Sequence, residues 1–161
     1  MESVRITMNK FFPEKELGFI LMKGFYRIRN NYGSGHREKI YERAIGEWLN
    51  LNKIVYVFQP RIDIYSLDTG KKIGIYIPDV LAANKIPIEV KAMPFTTKEN
   101  EHQIISYLKS SEYEIAYLVN FGEKDFKPRR FIYTNDRKSF IKIKQVITDK
   151  ESVESVICED L

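Results

Sequence analysis

The sequence predicts a small α/β domain in which helices flank a mixed β-sheet, with the element order α-α-β-β-β-β-α-β-β. Three observations predict this fold. Apolar residues recur at helical spacing in three segments, and short β-prone runs lie between the second and third of them. An almost continuous apolar run at 114–121 then follows, which is typical of a strand buried on both faces at the centre of a sheet. A chain of 161 residues is enough for one domain with an ordinary core.

The apolar stripes predict three helices, which span about 14–30, 36–51 and 97–109. A segment rich in Gly and Asn separates the first two and supplies left-handed backbone conformations. Glu38 lies in the first turn of the second helix, where the helix dipole favours a carboxylate. That favourable position alone is a sufficient structural reason for a glutamate there.

The strands are predicted from β-prone runs bounded by turn residues, at 54–58, 62–65, 72–77, 79–91, 114–121 and 129–133. The turn at 68–71 joins two of these runs into a hairpin, and 79–91 continues the meander as two short segments joined at Asn84-Lys85. The run 129–133 is expected at an edge of the sheet. We expect the strand after the third helix to pair in parallel with a strand of the meander.

Charge is unevenly distributed along the chain. The net charge is +4, but residues 148–161 hold five of the 22 acidic residues and only one of the 26 basic ones. The rest therefore has 25 basic and 17 acidic residues, a net charge of +8. A basic body suits a polyanion such as nucleic acid, although solubility accounts for this charge equally well. We take residues 1–140 as a single domain and 141–161 as a charged, partly acidic tail.

Several classes of protein do not fit the composition. No run approaches the roughly 18 consecutive apolar residues that a membrane-spanning helix needs. The first twelve residues lack the basic-then-apolar layout of a signal peptide. Cys158 is the only cysteine, which excludes an intramolecular disulfide. We therefore expect a cytoplasmic protein with no membrane partner.

The segment 79–91 carries the candidate chemistry. Glu89 and Lys91 lie two residues apart, so they point to the same face of a strand, and a hairpin would bring Asp79 near Glu89. Two carboxylates and an ammonium group suit a divalent-metal site that acts on phosphodiesters, with the Val90 carbonyl as a third metal ligand. Lys91 would orient the attacking water or stabilise the transition state. Taken alone, a Glu-x-Lys pair on a strand is much more often a solvated pair than a catalytic one, and Asp after Pro is often only a turn residue.

The order of the motifs resembles the PD-(D/E)XK nuclease superfamily. A Pro-Asp, a Glu-x-Lys on the next strand and a helix with Gln-x-x-x-Tyr occur in that order. The match is closer to the GxxExxY branch (the GxxR-exchange proteins), whose motif Gly-x-Gly-x-x-Glu-x-x-Tyr-Glu matches residues 33–42. The similarity covers about 14–134. The segment 74–78 departs from that family, which often has a glycine-arginine pair near the aspartate.

This resemblance implies a restriction-endonuclease-like core and a Mg²⁺- or Mn²⁺-dependent endo- or exonuclease that acts on DNA in repair, recombination or defence. By resemblance, the catalytic and metal-binding set is Glu38, Asp79, Glu89, Val90, Lys91 and Gln103. Candidate nucleic-acid contacts are Tyr107, Lys109, Arg129 and Arg130.

Two other readings remain open: a non-catalytic nucleic-acid-binding module, and a protein-interaction component whose groove holds a partner. The intact acidic pair and Lys91 favour the nuclease. The long apolar first helix also makes a homodimer a candidate assembly.

Overall fold

The computed structural model describes residues 14–146 and 148, and its centre is a five-stranded mixed sheet with helices on both faces. In chain order the elements are α1 (Lys15–Tyr32), α2 (Glu38–Leu51), β1 (Tyr56–Phe58), β2 (Ile62–Tyr65), β3 (Lys72–Tyr76), β4 (Val80–Ala82), β5 (Ile86–Lys91), α3 (Lys98–Ser110), β6 (Ile115–Asn120), β7 (Arg129–Ile132) and a short 3₁₀ helix (Asn135–Arg137). The predicted fold class is confirmed. The predicted element order counts the 79–91 hairpin once, whereas its two expected segments are separate strands in the structure, so five strands precede α3.

The large sheet has the strand order β1-β4-β5-β6-β7. β5 and β6 pair in parallel and the other neighbours are antiparallel, so the expected parallel pairing is confirmed. All six residues of β6 are buried and β7 lies at the edge, as their sequences predict. The apolar run of β6 is therefore explained by its position between two strands and two helical layers.

The predicted meander is interrupted after β1. This strand pairs with β4, while β2 and β3 form a separate two-stranded sheet. Gln59 has a left-handed φ of 43°, and Pro60 follows it without an amide hydrogen for a ladder bond. These two residues end β1 and direct the chain away from the large sheet.

One face of the large sheet packs against α1 and α2, where most of the core lies. Gly24 of α1 lets the two helices approach closely, because a Cβ at this position would lie 2.3 Å from the Trp48 indole. The indole Nε1 donates to the Ile20 carbonyl at 3.0 Å. The glycine is therefore a packing requirement of the α1–α2 pair.

The other face packs against α3 through a smaller cluster, comprising Ile104, Leu108, Ala116 and Leu118. Thr97 begins this helix with a capping box, since its hydroxyl accepts from the Asn100 amide and the Asn100 side chain accepts from the Thr97 amide. The helix thus starts at the residue that the sequence predicts.

A helical segment at 139–146 extends the fold past the predicted boundary at residue 140. Lys138, only 1% exposed, donates to the carbonyls of Ser111 and Tyr113 at 2.8 and 2.5 Å and so ties this segment to the end of α3. Phe140 stacks on Tyr65. The acidic residues of the predicted tail, from 149 onward, lie outside the described residues. Within the described chain, no helix is both long and apolar enough to cross a membrane.

Replacing Gly24 with alanine should destabilise the protein by about 1–3 kcal/mol, because the added methyl group forces the Trp48 indole out of its position. Urea denaturation measures this difference. Gly35→Ala is the matched control, since a Cβ there meets nothing within 4 Å. Equal stability of both variants would contradict the packing role of Gly24.

Candidate active site

The β4–β5 hairpin brings two carboxyl groups together at the open end of β4. Val80 pairs with Ile88, and continuing this register places Asp79 opposite Glu89. The Asp79 Oδ2 atom accepts a hydrogen bond from the Val90 amide at 2.7 Å. The pairing that the sequence predicts therefore forms, and it brings Asp79 and Glu89 to one site.

Both carboxyl groups hold protons more tightly than usual. Burial raises the pKa of Glu89 to about 8, and the negative charge of Asp79 adds to this rise. Burial also raises the pKa of Asp79, in spite of the hydrogen bond from Val90 that favours its ionised form. With a pKa of about 8, Glu89 holds its proton at neutral pH, so the pair carries less than its full negative charge.

Lys91 extends from the same face of β5 as Glu89. Ile88 and Val90 point the other way, into the core beneath α1 and α2. The positive charge of Lys91 lowers the pKa of Glu89, though by less than burial raises it. The Lys91 side chain lines a narrow cleft between the sheet and α3.

Gln103 and Tyr107 form the α3 wall of this cleft. The Gln103 Nε2 atom donates to the Tyr107 hydroxyl at 3.0 Å, so the two side chains share a helix face as their spacing predicts. The structure thus brings both predicted residues to the candidate site.

Glu38 lies in the first turn of α2 and is half-buried. Its negative charge contributes to the raised pKa of Asp79, which places it in the neighbourhood of the pair. Glu42, one turn after Glu38 in α2, raises the pKa of Asp79 more than Glu38 does. The structure therefore brings a second glutamate of α2 to the same region.

Glu42 was not among the predicted site residues. Its side chain is 5% exposed, and its Oε2 atom accepts from Lys39 at 3.3 Å and from Gln59 at 3.2 Å. The signal that could have identified it is its place beside Tyr41 on the apolar face of α2, where a glutamate is unusual.

Tyr76 was also missed. Its hydroxyl donates to the Glu89 Oε1 atom at 2.9 Å, and its ring stacks on Tyr107 with centroids 3.7 Å apart. Burial and the neighbouring Glu89 charge raise the pKa of Tyr76, so the hydroxyl keeps its proton. The sequence contained no local signal for this contact, because Tyr76 belongs to the separate β2–β3 sheet.

The predicted nucleic-acid contacts fall in different environments. Lys109 is exposed on α3, with its ammonium 5.6 Å from the Tyr133 ring centre. Arg129 forms ion pairs with Glu101 and Glu123, both at 2.9 Å. Arg130 is half-buried on the opposite face of β7, beside Tyr117 of β6. The role of these three residues and of Tyr107 in nucleic-acid binding stays a prediction.

The donor set fits a magnesium-type cation with two carboxylates. Among residues 14–146 and 148, no group of three or more His, Cys, Asp or Glu side chains is arranged to hold a metal ion. The Val90 carbonyl can add a third oxygen, because it points to the same side of β5 as the amide that donates to Asp79. Mg²⁺ is commonly held by one or two carboxylates while it keeps several waters.

Comparison with known proteins agrees with the fold and the motifs. The family model of the PD-(D/E)XK nuclease superfamily matches residues 15–131. Nucleases of this superfamily generally use divalent metal ions. No curated protein and no solved structure gives a significant match to the chain.

The raised pKa of Glu89 leads to a prediction about pH and metal. Its pKa rises from the ordinary 4.5 to about 8 on folding, so between these values the folded protein keeps a proton that the unfolded chain has lost. Without metal, stability should therefore fall as pH rises from about 5 to 8. A Mn²⁺ ion held by this pair would replace the proton, so any rise in melting temperature that Mn²⁺ causes should grow over the same interval. Thermal unfolding with and without Mn²⁺ measures both effects.

Glu89→Gln, which cannot ionise, is the variant that tests the assignment. It should lose most of the pH dependence over this interval together with the Mn²⁺ effect. A variant that keeps both would show that another group is responsible.

Proposed function

We propose, from the fact that the chain belongs to the PD-(D/E)XK nuclease superfamily, that it is a metal-dependent nuclease that hydrolyses phosphodiester bonds in DNA. The observation that carries this proposal is the convergence of Asp79, Glu89 and Lys91 on one face of the sheet. A pair of partly buried carboxyl groups with raised pKa values is costly unless it has a function. The retention of both acids and the lysine favours an active enzyme over a binding module.

In this proposal Asp79, Glu89 and the Val90 carbonyl hold a single Mg²⁺ or Mn²⁺ ion. When bound, such an ion polarises a phosphoryl oxygen and stabilises the charge that develops there. Asp79 is held in position by the Val90 amide, which keeps its Oδ2 atom fixed against β5. Two of the three oxygen ligands therefore come from β5, and the hydrogen bond from Val90 ties Asp79 to the same strand.

Lys91 acts on the attacking water in the proposed mechanism. Its ammonium group either orients the water or stabilises the negative charge of the pentavalent transition state. Lys91 extends from the same strand as Glu89, so its ammonium group can reach a phosphate held by a cation at Glu89. Gln103 and Tyr107, which line the same cleft, contact the substrate backbone.

Glu38 has a supporting role in this proposal. Its charge acts on Asp79, and it strengthens the negative field that attracts a cation to the site. Lys109, Arg129 and Arg130 are proposed to contact the nucleic acid outside the cleft.

Within the superfamily, we place the chain in the GxxExxY branch. Its motif residues form a closed local structure. The Tyr41 hydroxyl donates to the Gly33 carbonyl at 2.6 Å and accepts from the His36 amide at 3.2 Å. Gly33 has a φ of 69°, which glycine adopts without strain. The motif thus sets the start of α2, and with it the position of Glu38.

The partner is proposed to be DNA, in the cytoplasm. The net charge of +8 outside residues 148–161 favours a polyanion, and the single cysteine fits a reducing compartment. A homodimer would bring two such sites to the two strands of a duplex.

Cleavage of plasmid and of labelled single- and double-stranded oligonucleotides, in Mg²⁺ or Mn²⁺, tests this function. Glu89→Gln should remove metal binding, and Lys91→Met should remove the group that stabilises the transition state. Each is expected to lower the cleavage rate by at least about 100-fold, which corresponds to about 3 kcal/mol. Glu47→Gln and Lys23→Met are matched controls on exposed positions of α2 and α1 and should cleave normally.

Two outcomes would contradict the proposal. A wild-type protein that binds DNA but cleaves neither DNA nor RNA under any of these conditions is a binding module. Cleavage that survives Glu89→Gln or Lys91→Met belongs to a contaminant or to another site. Cleavage of RNA but not of DNA would support nuclease activity and contradict DNA as the substrate.

A further inference from the structure

Tyr76 is the last residue of β3 and the one residue of that strand that is buried, with 7% of its surface exposed. Its hydroxyl contacts the candidate metal ligand Glu89, and its ring lies almost parallel to Tyr107, at 13°. These contacts join the two-stranded sheet, β5 and α3 at one point. Among the residues of β2 and β3, all of which the structure describes, Tyr76 is the one that donates a hydrogen bond to the acidic pair.

The surroundings of Tyr76 argue against a role in packing alone. Its neighbours Ile75 and Ile77 are 38% and 46% exposed, so they point away from the site. A phenylalanine would fill the same space and make the same stack on Tyr107. The hydroxyl adds one specific interaction, a hydrogen bond to a single oxygen of Glu89. This contact fixes the orientation of the carboxyl group about its last torsion angle.

We propose that Tyr76 is a positioning residue that orients the Glu89 carboxylate for a divalent cation. Its hydroxyl donates a hydrogen bond to the Oε1 atom of Glu89, which leaves the Oε2 atom for the metal. The inference rests on the proposed function, because it requires a metal at Asp79 and Glu89. Hydrogen-bond partners of ligating carboxylates commonly change metal affinity or activity by about 10–100-fold when they are removed.

The stack with Tyr107 supplies the rigidity that such a role needs. A phenol held by a parallel ring 3.7 Å away cannot swing out of the site without losing that contact. Tyr107 is held in turn by the hydrogen bond from Gln103. The position of the Glu89 carboxylate therefore depends on α3, which also lines the cleft beside Lys91.

Isothermal titration of the full chain with Mn²⁺, in the absence of nucleic acid, tests the inference. Tyr76→Phe keeps the ring and removes the hydroxyl, and it should weaken Mn²⁺ binding by about 10-fold. Tyr65→Phe is the matched control. Tyr65 lies in β2 of the same two-stranded sheet and stacks on Phe140 at 12°, but its hydroxyl has no contact with Glu89. It should bind Mn²⁺ as the wild type does.

A comparison with and without metal separates positioning from a general effect on folding. Without metal, far-UV circular dichroism and a cooperative thermal transition should show that Tyr76→Phe and Tyr65→Phe are both folded. The rise in melting temperature that Mn²⁺ causes should be smaller for Tyr76→Phe than for the wild type and Tyr65→Phe. An equal rise in all three proteins would overturn the inference, because the hydroxyl would then not act on the metal site.

The remaining outcomes are equally decisive. Unchanged or tighter Mn²⁺ binding by Tyr76→Phe overturns the inference and leaves the proposed nuclease intact; tighter binding would mean that the hydroxyl competes with the metal. A wild-type protein that binds no Mn²⁺ overturns both the metal site and the role of Tyr76. A loss of Mn²⁺ affinity in Tyr76→Phe, with wild-type affinity in Tyr65→Phe, supports the positioning role of Tyr76.

Discussion

The pairing of β4 with β5 is the interaction on which the candidate site depends. It places the partly buried carboxyl groups of Asp79 and Glu89 side by side, where burial raises the pKa of each. Such a pair is stable only when a proton or a cation reduces its charge. The opposite face of β5 fixes the register, because a slip by one residue would turn Glu89 and Lys91 into the apolar core. The hydrophobic pattern that folds the sheet therefore also positions the chemistry.

Features encoded by neighbouring residues could be predicted from the sequence. The alternation in β5 predicts which side chains share a face, and the polar residues near 84 predict a turn. The structure moves that turn by one position, since Ala83 and Asn84 have left-handed φ values of 53° and 54° between strands that end at Ala82 and begin at Ile86. Asn is favoured in such a turn because its side chain tolerates positive φ. Helix ends were predicted equally well where a cap exists, as at Thr97.

Contacts between elements could not be predicted in the same way. Glu42 meets Gln59 across 17 positions, and Tyr76 meets Glu89 across 13, through a small sheet that leaves the main one. The departure of β2 and β3 depends on how the chain turns at Gln59 and Pro60, which no periodic pattern describes. A tyrosine in a strand has the same sequence signature whether its hydroxyl meets water or a carboxylate. Only the tertiary arrangement distinguishes the two cases.

Arg129 shows how ion pairs change the function that is inferred for a basic residue. Its guanidinium contacts Glu101, Glu123 and the Thr96 hydroxyl, and Thr96 also accepts from the Asn120 side chain. A phosphate could recruit Arg129 only by competing with two carboxylates that are already in place. The network also holds Thr96, in the segment that connects Lys91 to the start of α3. Arg129 therefore has a structural function in addition to the contact with nucleic acid that is proposed for it.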